Sequence, residues 1–325
     1  MSALGDGFDA VICDLDGVVY TGPVAVDHAV DSLNALTVPV VYATNNASRT
    51  TGEVGERLRS FGIVTSDDVV LTSSLAAARE LASTVSRGAP VLAIGGEGVA
   101  ASLRSVGLQP RRPGDEGEVV AVLQGYGPGV TAADLGAAAV AVRSGARWVA
   151  TNDDLTLPTE EGPVPGNGAL VAAVRLAVDV EPEVIGKPHP PMYRLAAQAA
   201  GARAARTVAV GDRLETDIAG ALAAGMAAVL VLTGVHGPAD AAAAPPERRP
   251  THVLTDLRGL CEPYPQQVME GDWFVRGAAR ARCGEALEVE GHGVDATRAA
   301  LDALWDAVDA RRITSGRARA LLVNR

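Results

Sequence analysis

The chain has 325 residues, enough for two domains, and its 48% hydrophobic and 21% charged residues exclude an intrinsically disordered protein. Its formal net charge of -11 argues against a nucleic acid or an anionic membrane surface as partner. It contains no apolar run of membrane-spanning length, no secretion signal at the N-terminus and no metal or disulfide pattern among its three cysteines, so we expect a cytoplasmic protein.

The N-terminal segment alternates predicted strands with predicted helices. Apolar runs predict strands at 10–14 and 38–44, and helical patterns cover 26–36 and 51–61. The residues 45–48 (NNAS) are typical of a turn and a helix N-cap.

The same alternation continues along the chain. Further strands are predicted at 91–94, 119–123, 148–151, 207–210, 228–232 and 252–255, with Ala-rich helices between most of them and a surface loop over 237–250. Strands that alternate with helices predict a parallel sheet covered on both faces. The fold class is therefore α/β, of the doubly wound type.

Two acidic motifs follow predicted strands. Asp14 and Asp16 end the first strand, where an extended backbone points both side chains the same way, so that one carboxylate can act as nucleophile and the other as acid and base. Asp212 and Asp217 follow the strand at 207–210 and supply the oxygen ligands that Mg2+ prefers. Taken alone, the first motif is also compatible with a polar strand end, and the second with a helix N-cap that has an Asp in the first turn.

Two further segments offer positive groups to a phosphate. Thr44, Asn45 and Asn46 end a strand and open a helix, whose free N–H groups attract anions. Lys187 is the single lysine beside 27 arginines, and Gly186 and Pro188 give it a rigid mount. A site with four carboxylates would repel a phosphate unless Mg2+, this lysine and a helix N-terminus offset the charge.

In combination, these motifs resemble the haloacid dehalogenase superfamily of phosphohydrolases. The matching segments are DLDGV, ATNN, GKP and GDRLETDI, within residues 9–262. The long gap between Thr44 and Lys187 resembles the subfamily with a cap domain inserted there, and the segment from Thr151 to Gly168 is similar to its glycerol-3-phosphate, phosphoglycolate, pyridoxal-phosphate and 4-nitrophenyl phosphatases.

The resemblance implies a role for each matching residue. Asp14 would form an aspartyl-phosphate, Asp16 would act as acid and base, and Mg2+ would bind Asp14, the Asp16 carbonyl and Asp212, with Asp217 in an outer or water-mediated position. Thr44 and the Asn45 amide would bind phosphate, and Lys187 would neutralise phosphoryl oxygens. Asn46 and Asn152 would line the substrate cleft.

The resemblance also sets the expected domains. We expect a discontinuous phosphatase core at 1–74 and 181–262, an inserted cap at 75–180, and a small C-terminal α+β module at 265–325 with strands over 272–290 and one amphipathic helix at 297–311. The module is interpreted as serving packing or oligomerisation.

One motif points to different chemistry. Residues 96–101 (GEGVAA) fit the G-x-G-x-x-A pattern of dinucleotide sites, which needs an acidic residue at the end of the next strand. The predicted strand at 119–123 runs instead into Gln124. We therefore expect an ordinary turn between a strand and a helix within the cap.

The sequence predicts a Mg2+-dependent phosphomonoester hydrolase for a small metabolite, glycerol 3-phosphate or phosphoglycolate first. The alternatives are a nucleotide or pyridoxal-phosphate phosphatase and, from another class, a non-catalytic binding protein acting through the C-terminal module. We expect a small-molecule partner and neither nucleic acid nor membrane. A homodimer formed through the cap is compatible with the family, and the oligomeric state is left open.

Overall fold

The computed structural model describes residues 2–157 and 162–323, in two compact units. The first unit comprises Met1–Val40 and Ala200–Arg325, and the second comprises Val41–Ala199. Residues 158–161 of the segment compared above with the phosphatases, and the last two residues of the expected C-terminal module, lie outside the described residues.

The strands, in chain order, are β1 (Ala10–Cys13), β2 (Tyr20–Thr21), β3 (Val24–Ala25), β4 (Val40–Thr44), β5 (Val70–Thr72), β6 (Pro90–Ile94), β7 (Gln109–Arg111), β8 (Ala121–Gln124), β9 (Arg147–Ala150), β10 (Thr156–Leu157), β11 (Val164–Pro165), β12 (Glu183–Val184), β13 (Thr207–Gly211), β14 (Ala227–Val231), β15 (His252–Leu254), β16 (Val268–Glu270), β17 (Trp273–Arg276), β18 (Ala279–Cys283) and β19 (Leu287–Glu290). The helices are α1 (Ala29–Ala35), α2 (Thr51–Ser60), α3 (Ser73–Ala82), α4 (Glu97–Ser105), α5 (Ala132–Arg143), α6 (Asn167–Arg175), α7 (Pro190–Ala199), α8 (Ala219–Ala223), α9 (Pro238–Ala243), α10 (Gly293–Asp309) and α11 (Ser315–Val323).

The first unit is built on parallel strands in the order β15-β14-β13-β1. β1 is buried along its whole length, as are β13 and most of β14, because helices cover a parallel sheet on both faces. In the register of β1 and β13, Cys13 lies opposite Val210. The residues that follow the two strands therefore emerge side by side at one edge of the sheet.

The C-terminal module belongs to the first unit. Its antiparallel strands β16 to β19 pair in chain order, and α10 packs on them. Trp305 on α10 donates from Nε1 to the carbonyl of Ala241, and Arg249 donates to both carboxylate oxygens of Asp309 at 2.6 and 2.8 Å. The predicted α+β composition is confirmed, but α11 follows α10, so the single helix expected here was wrong. Thr314, which accepts from the N–H of Arg317 at 3.2 Å, caps this second helix.

The second unit contains a parallel pair, β4 with β5, and a separate five-stranded parallel sheet in the order β12-β9-β8-β6-β7. The core on one face of the larger sheet contains Trp148, Val122 and Ile94 together with apolar residues of α5 and α6. The predicted α/β class with parallel sheets is confirmed.

Two local predictions were wrong. The N-cap of α2 is Thr50, whose hydroxyl accepts from the N–H of Glu53 while the Glu53 carboxylate accepts from the N–H of Thr50. The segment 237–250, expected as a loop, contains α9, because Pro238 starts the helix, Asp240 accepts from the N–H of Gly237, and Ala241 and Ala242 are buried. The strand predicted at 119–123 is present as β8 and starts two residues later, at Ala121.

Within the described ranges, no helix is long and apolar enough to cross a membrane.

Candidate active site

The first acidic motif turns sharply away from the end of β1. The N–H of Asp14 donates to the carbonyl of Val210 at 2.9 Å and continues the pairing with β13. Leu15 is fully buried, while Asp14 is half-buried and Asp16 is exposed. Gly17 has φ +83°, and a Cβ there would lie 2.3 Å from Oδ2 of Asp212. Only glycine permits both this backbone and this close approach.

The second acidic motif surrounds a short π-helical turn, Leu214–Ile218, directly after β13. Asp217 closes the turn, because its Oδ2 accepts from the N–H of Arg213 at 3.1 Å. Asp212 and Asp217 are only 1% and 3% exposed. π-Helical turns are often found at functional sites, since they displace a side chain from the regular helical path.

The loop after β14 holds Asp212 in place. The N–H of Val235 donates to Oδ2 of Asp212 at 2.8 Å, and the N–H of His236 donates to its main-chain oxygen at 3.1 Å. The Nδ1 of His236 accepts from the N–H of Leu214 at 3.1 Å and so ties the same loop to the π-helical turn. This loop was not predicted from the sequence, because the groups that hold Asp212 itself are backbone N–H groups.

These contacts bring three carboxylates together. One oxygen from each of Asp14, Asp212 and Asp217 lies within 4.8 Å of the other two. Three negative groups at this separation, two of them buried, repel each other strongly unless a cation lies between them. Mg2+ prefers a few carboxylate oxygens with open positions for water and phosphate, so this donor set fits Mg2+. Among the described residues, the carboxylate of Asp16 is not part of this cluster.

The second unit holds the polar residues expected at the phosphate. Thr44 ends β4, and its Oγ1 accepts from the N–H of Asn46 at 3.1 Å. The Oδ1 of Asn46 then accepts from the N–H of Ser48 at 3.0 Å. The segment predicted as a helix N-cap is instead a turn that precedes the cap.

Asn45 is the centre of this second group. Its Nδ2 donates to Oδ2 of Asp154 at 3.0 Å and to the carbonyl of Lys187 at 2.9 Å, and its Oδ1 accepts from the N–H of Lys187 at 2.8 Å. Its main-chain oxygen accepts from Nδ2 of Asn152 and from Oγ of Ser73, both at 2.8 Å. The side chain and the main chain of Asn45 are therefore both held by residues distant in the sequence.

Lys187 is 4% exposed, which is rare for a lysine and requires partners for its charge. The backbone before it is fixed, since the N–H of Gly186 donates to the carbonyl of Thr151 at 2.8 Å. Two residues further on, Nε2 of His189 lies 3.1 Å from Oδ2 of Asp153, and this hydrogen bond holds the pKa of the Asp153 carboxyl below its usual range.

The structure thus places the predicted residues in two groups, each described within its own unit. The carboxylates Asp14, Asp212 and Asp217 lie together in the first unit. Thr44, Asn45, Asn46, Asn152 and Lys187 all belong to the second, where hydrogen bonds join Asn45 to both Asn152 and Lys187. The sequence reasoning missed Ser73, because a serine that opens a helix looks like an N-cap and carries no further signal.

Comparison with known proteins supports one family. Residues 11–109 match a family model described as haloacid dehalogenase-like hydrolase, and residues 184–260 match one described as HAD-hydrolase-like. A D-glycerol 3-phosphate phosphatase of Mycobacterium tuberculosis is 41% identical over 94% of this chain and 88% of its own length. A 5'-nucleotidase of Bacillus subtilis is 34% identical over 77% of this chain and 96% of its own length.

A solved structure is similar over nearly the whole chain. It is a glycerol phosphate phosphatase from Mycobacterium tuberculosis in complex with magnesium, which is 39% identical. The two structures superpose with a TM-score of 0.82 over 94% of this chain and 93% of that one. The likeness therefore includes the C-terminal module.

Proposed function

Because the chain belongs to the haloacid dehalogenase-like hydrolase family, and is a phosphatase within it, we propose that it hydrolyses small phosphomonoesters with Mg2+, D-glycerol 3-phosphate first among them. The observation that carries the proposal is the cluster of Asp14, Asp212 and Asp217, whose carboxylate oxygens lie within 4.8 Å of one another. A magnesium-bound relative of 39% identity supports the choice of metal.

Two aspartates would carry the bond-making steps. A carboxylate oxygen of Asp14 attacks phosphorus, the bond from phosphorus to the ester oxygen breaks, and Asp16 donates a proton to the departing alkoxide. Asp16 then takes a proton from a water molecule, whose oxygen attacks the aspartyl-phosphate. Inorganic phosphate leaves, and Asp14 is restored as a carboxylate. The exposure of Asp16 suits this role, because it must reach both the alcohol and water.

Mg2+, held by Asp14, Asp212 and Asp217 with the Asp16 carbonyl, would neutralise the charge that builds up on the phosphoryl oxygens. Lys187 would supply a second positive charge, and its burial strengthens its interaction with an anion. Thr44 and the backbone N–H of Asn45 would donate to phosphate oxygens. The reciprocal hydrogen bonds between the Asn45 side chain and the Lys187 backbone would fix the position of Lys187.

Substrate choice would depend on Asn46, Asn152 and residues of the cap, which we place at 75–180 between core segments 1–74 and 181–262. Glycerol 3-phosphate ranks first because it is the substrate in the name of the relative with 41% identity, and the match covers 88% of that relative's length. Nucleotides rank second, on the 34% identity to a 5'-nucleotidase.

The test is release of phosphate from a panel of glycerol 3-phosphate, phosphoglycolate, pyridoxal phosphate, mononucleotides and 4-nitrophenyl phosphate. Turnover of glycerol 3-phosphate that needs Mg2+, stops with chelator and is lost in Asp14→Asn would support the proposal. A preference for mononucleotides would favour the second candidate. A folded protein that releases no phosphate from any ester would overturn both and favour a non-catalytic binding role.

Two further proposals concern the cellular compartment and the oligomeric state of the enzyme. We place it in the cytoplasm, where its three free thiols would stay reduced. We also propose a homodimer, which sedimentation equilibrium of the full chain would detect. Deletion of 265–325 would show whether the C-terminal module is needed for activity or only for folding and assembly.

A further inference from the structure

The five-stranded sheet of the second unit has a topology that creates a ligand crevice. Numbered in chain order, its strands follow one another across the sheet as 2-1-3-4-5, with β6 first, β7 second and β8 third. In open parallel sheets of this order, connections leave strands 1 and 3 in opposite directions. The crevice that results lies at the carboxyl ends of these strands, here β6 and β8, and is where such sheets bind ligands.

The structure has a pocket at that position. Its volume is about 370 Å³, within the range that holds a drug-sized ligand. It is lined by the end of β6, the start of α4, the residues after β8 and the end of β7, among them Ile94, Gly96, Ala100, Arg111, Arg112 and Val130. Ala100 and Val130, both partly exposed, supply an apolar wall, and the buried Ile94 adjoins the pocket. None of the lining residues belongs to the Asn45–Lys187 group.

Two guanidinium groups that line the pocket have no carboxylate partner among the described residues. Within residues 2–157 and 162–323, neither Arg111 nor Arg112 makes a side-chain ion pair or hydrogen bond, although both line the pocket. A third arginine there, Arg104, is already paired with Glu97. The remaining carboxylate of the lining, Asp134, accepts from the N–H and hydroxyl of Thr131 in the cap of α5. The lining thus has three arginines and two carboxylates, on a protein of net charge -11. A further carboxylate, that of Asp115, accepts from the backbone N–H of Arg112 at 2.8 Å and leaves the Arg112 guanidinium unpaired.

The arginines also occupy an informative position. Arg111 ends β7 and Arg112 follows it. β7 is the first strand after the G-x-G-x-x-A motif and precedes β8, the strand whose end lacks an acidic residue. In dinucleotide sites, an acidic residue at this point binds the ribose 2'-hydroxyl, whereas an arginine nearby accommodates a 2'-phosphate on that ribose. Two amide groups near the helix start are already used, since Gly96 donates to Tyr126 and Gly98 to Ser48. The guanidinium groups would therefore hold the anion.

We propose that this pocket is a second ligand site that binds a nucleotide-sized organic phosphate, with Arg111 and Arg112 on the phosphate and the apolar wall against the base. This inference is independent of the proposed phosphatase reaction. It concerns binding and requires no hydrolysis.

Methyl groups of isoleucine can report the two sites separately. The chain has six isoleucines, of which Ile94 lines the pocket and Ile185 precedes Gly186 and Lys187. The experiment uses Asp14→Asn protein labelled at the isoleucine methyl carbons, titrated with adenosine 5'-monophosphate, with adenosine and with inorganic phosphate. We expect the monophosphate to shift the Ile94 signal in a saturable way, and adenosine or phosphate to do so at least tenfold more weakly.

The double change Arg111→Ala and Arg112→Ala should weaken the Ile94 response at least tenfold, because charged hydrogen bonds to a phosphate are lost. Arg143→Ala, an exposed arginine of the same unit outside the pocket, should bind as the parent does. Ala100→Met, which fills the pocket, provides a second variant with both arginines intact and should also weaken binding.

Three outcomes would overturn the proposal. In the first, the monophosphate shifts only the Ile185 signal, which indicates binding at the phosphatase site alone. In the second, neither pocket variant changes the Ile94 titration. In the third, inorganic phosphate binds as tightly as the nucleotide, which indicates a site for anions in general.

Discussion

Asn45 and Lys187, 142 positions apart in the chain, are joined by a reciprocal pair of hydrogen bonds. The N–H of Lys187 donates to Oδ1 of Asn45 at 2.8 Å, and Nδ2 of Asn45 donates to the carbonyl of Lys187 at 2.9 Å. The amide side chain thus pairs with the backbone of Lys187 much as a neighbouring strand would. The backbone of the buried lysine is therefore restrained by Asn45 as well as by its neighbours Gly186 and Pro188.

Asn45→Asp should keep one hydrogen bond of this pair and remove the other. The new carboxylate still accepts from the N–H of Lys187, but it cannot donate to the Lys187 carbonyl, and it places a negative charge where Nδ2 now contacts Asp154 at 3.0 Å. We expect a loss of about 1–3 kcal/mol in unfolding free energy and at least a tenfold lower kcat. Urea unfolding and steady-state kinetics measure both.

Asn46→Asp is the matched control for stability. The Oδ1 of Asn46 only accepts, from Ser48, and a carboxylate keeps this acceptor. Its unfolding free energy should stay within about 0.5 kcal/mol of the parent. Equal stability of the Asn45→Asp and Asn46→Asp proteins would contradict the role given to the Asn45 amide.

Gly234→Ala should disturb the carboxylate cluster without changing a charge. A Cβ at Gly234 would lie 2.0 Å from Oδ2 of Asp212, so the carboxylate or the loop must move. We expect the affinity for Mg2+, measured by isothermal titration calorimetry, to fall at least tenfold. Gly7→Ala, whose Cβ would meet nothing within 4 Å, should bind Mg2+ as the parent does. Unchanged affinity in Gly234→Ala would show that Asp212 does not need its present position.

His252 should make stability depend on pH below neutrality. Burial, and then the charges of Arg276 and Arg298, lower the pKa of His252 from 6.5 to about 4. The unfolded chain therefore binds a proton that the folded protein excludes. The stability from this group is present above pH 6.5 and is lost as the pH falls towards 4, by up to about 3 kcal/mol.

His252→Gln should remove this contribution. The variant is expected to show a flatter decline in unfolding free energy between pH 6.5 and 4, measured by urea titration at several pH values. His292→Gln, a change at an exposed histidine, should keep the slope of the parent. Parallel curves for the parent and His252→Gln would refute the assignment.

The C-terminal module contains a buried ion pair whose loss should be costly. Arg276 donates from Nε to Oδ2 of Asp302 at 2.7 Å, and the two side chains are 14% and 9% exposed. Asp302→Ala leaves a buried guanidinium unpaired and should lower the unfolding free energy by about 3–5 kcal/mol. Glu290→Ala, which breaks an exposed pair with Arg280, should cost less than about 1 kcal/mol. Similar denaturation midpoints for the two variants would contradict this difference.

Much of the carboxylate cluster could be predicted from the sequence. Asp14 follows β1 and Asp212 follows β13, and the carboxyl ends of parallel strands emerge at a common edge. What could not be predicted is the support of Asp212 by the N–H of Val235, because a backbone donor in a loop leaves no mark on residue type. The same holds for Ser73, whose hydroxyl looks like that of any helix start.

Composition also gave wrong secondary-structure predictions where a segment is buried by contacts with residues distant in the chain. The segment 237–250 was interpreted as a surface loop from its overall composition, yet it contains α9, Ala241 and Ala242 are buried, and Trp305 donates to the Ala241 carbonyl. The short strand β7 was missed, because Gln109, Pro110 and Arg111 lack the apolar character of a strand. Its pairing with β6 decides that it is one.

The sequence by itself determined the α/β class, the strand ends that carry Asp14, Thr44 and Asp212, and the singular position of Lys187, because apolar periodicity and residue type are local properties. Only the tertiary structure decided which of these residues meet. Asn45 holds Lys187 across 142 positions of the chain, and Arg111 lines a crevice beside β6 because β7 pairs with β6. Such contacts follow from strand order and packing, which no local pattern encodes.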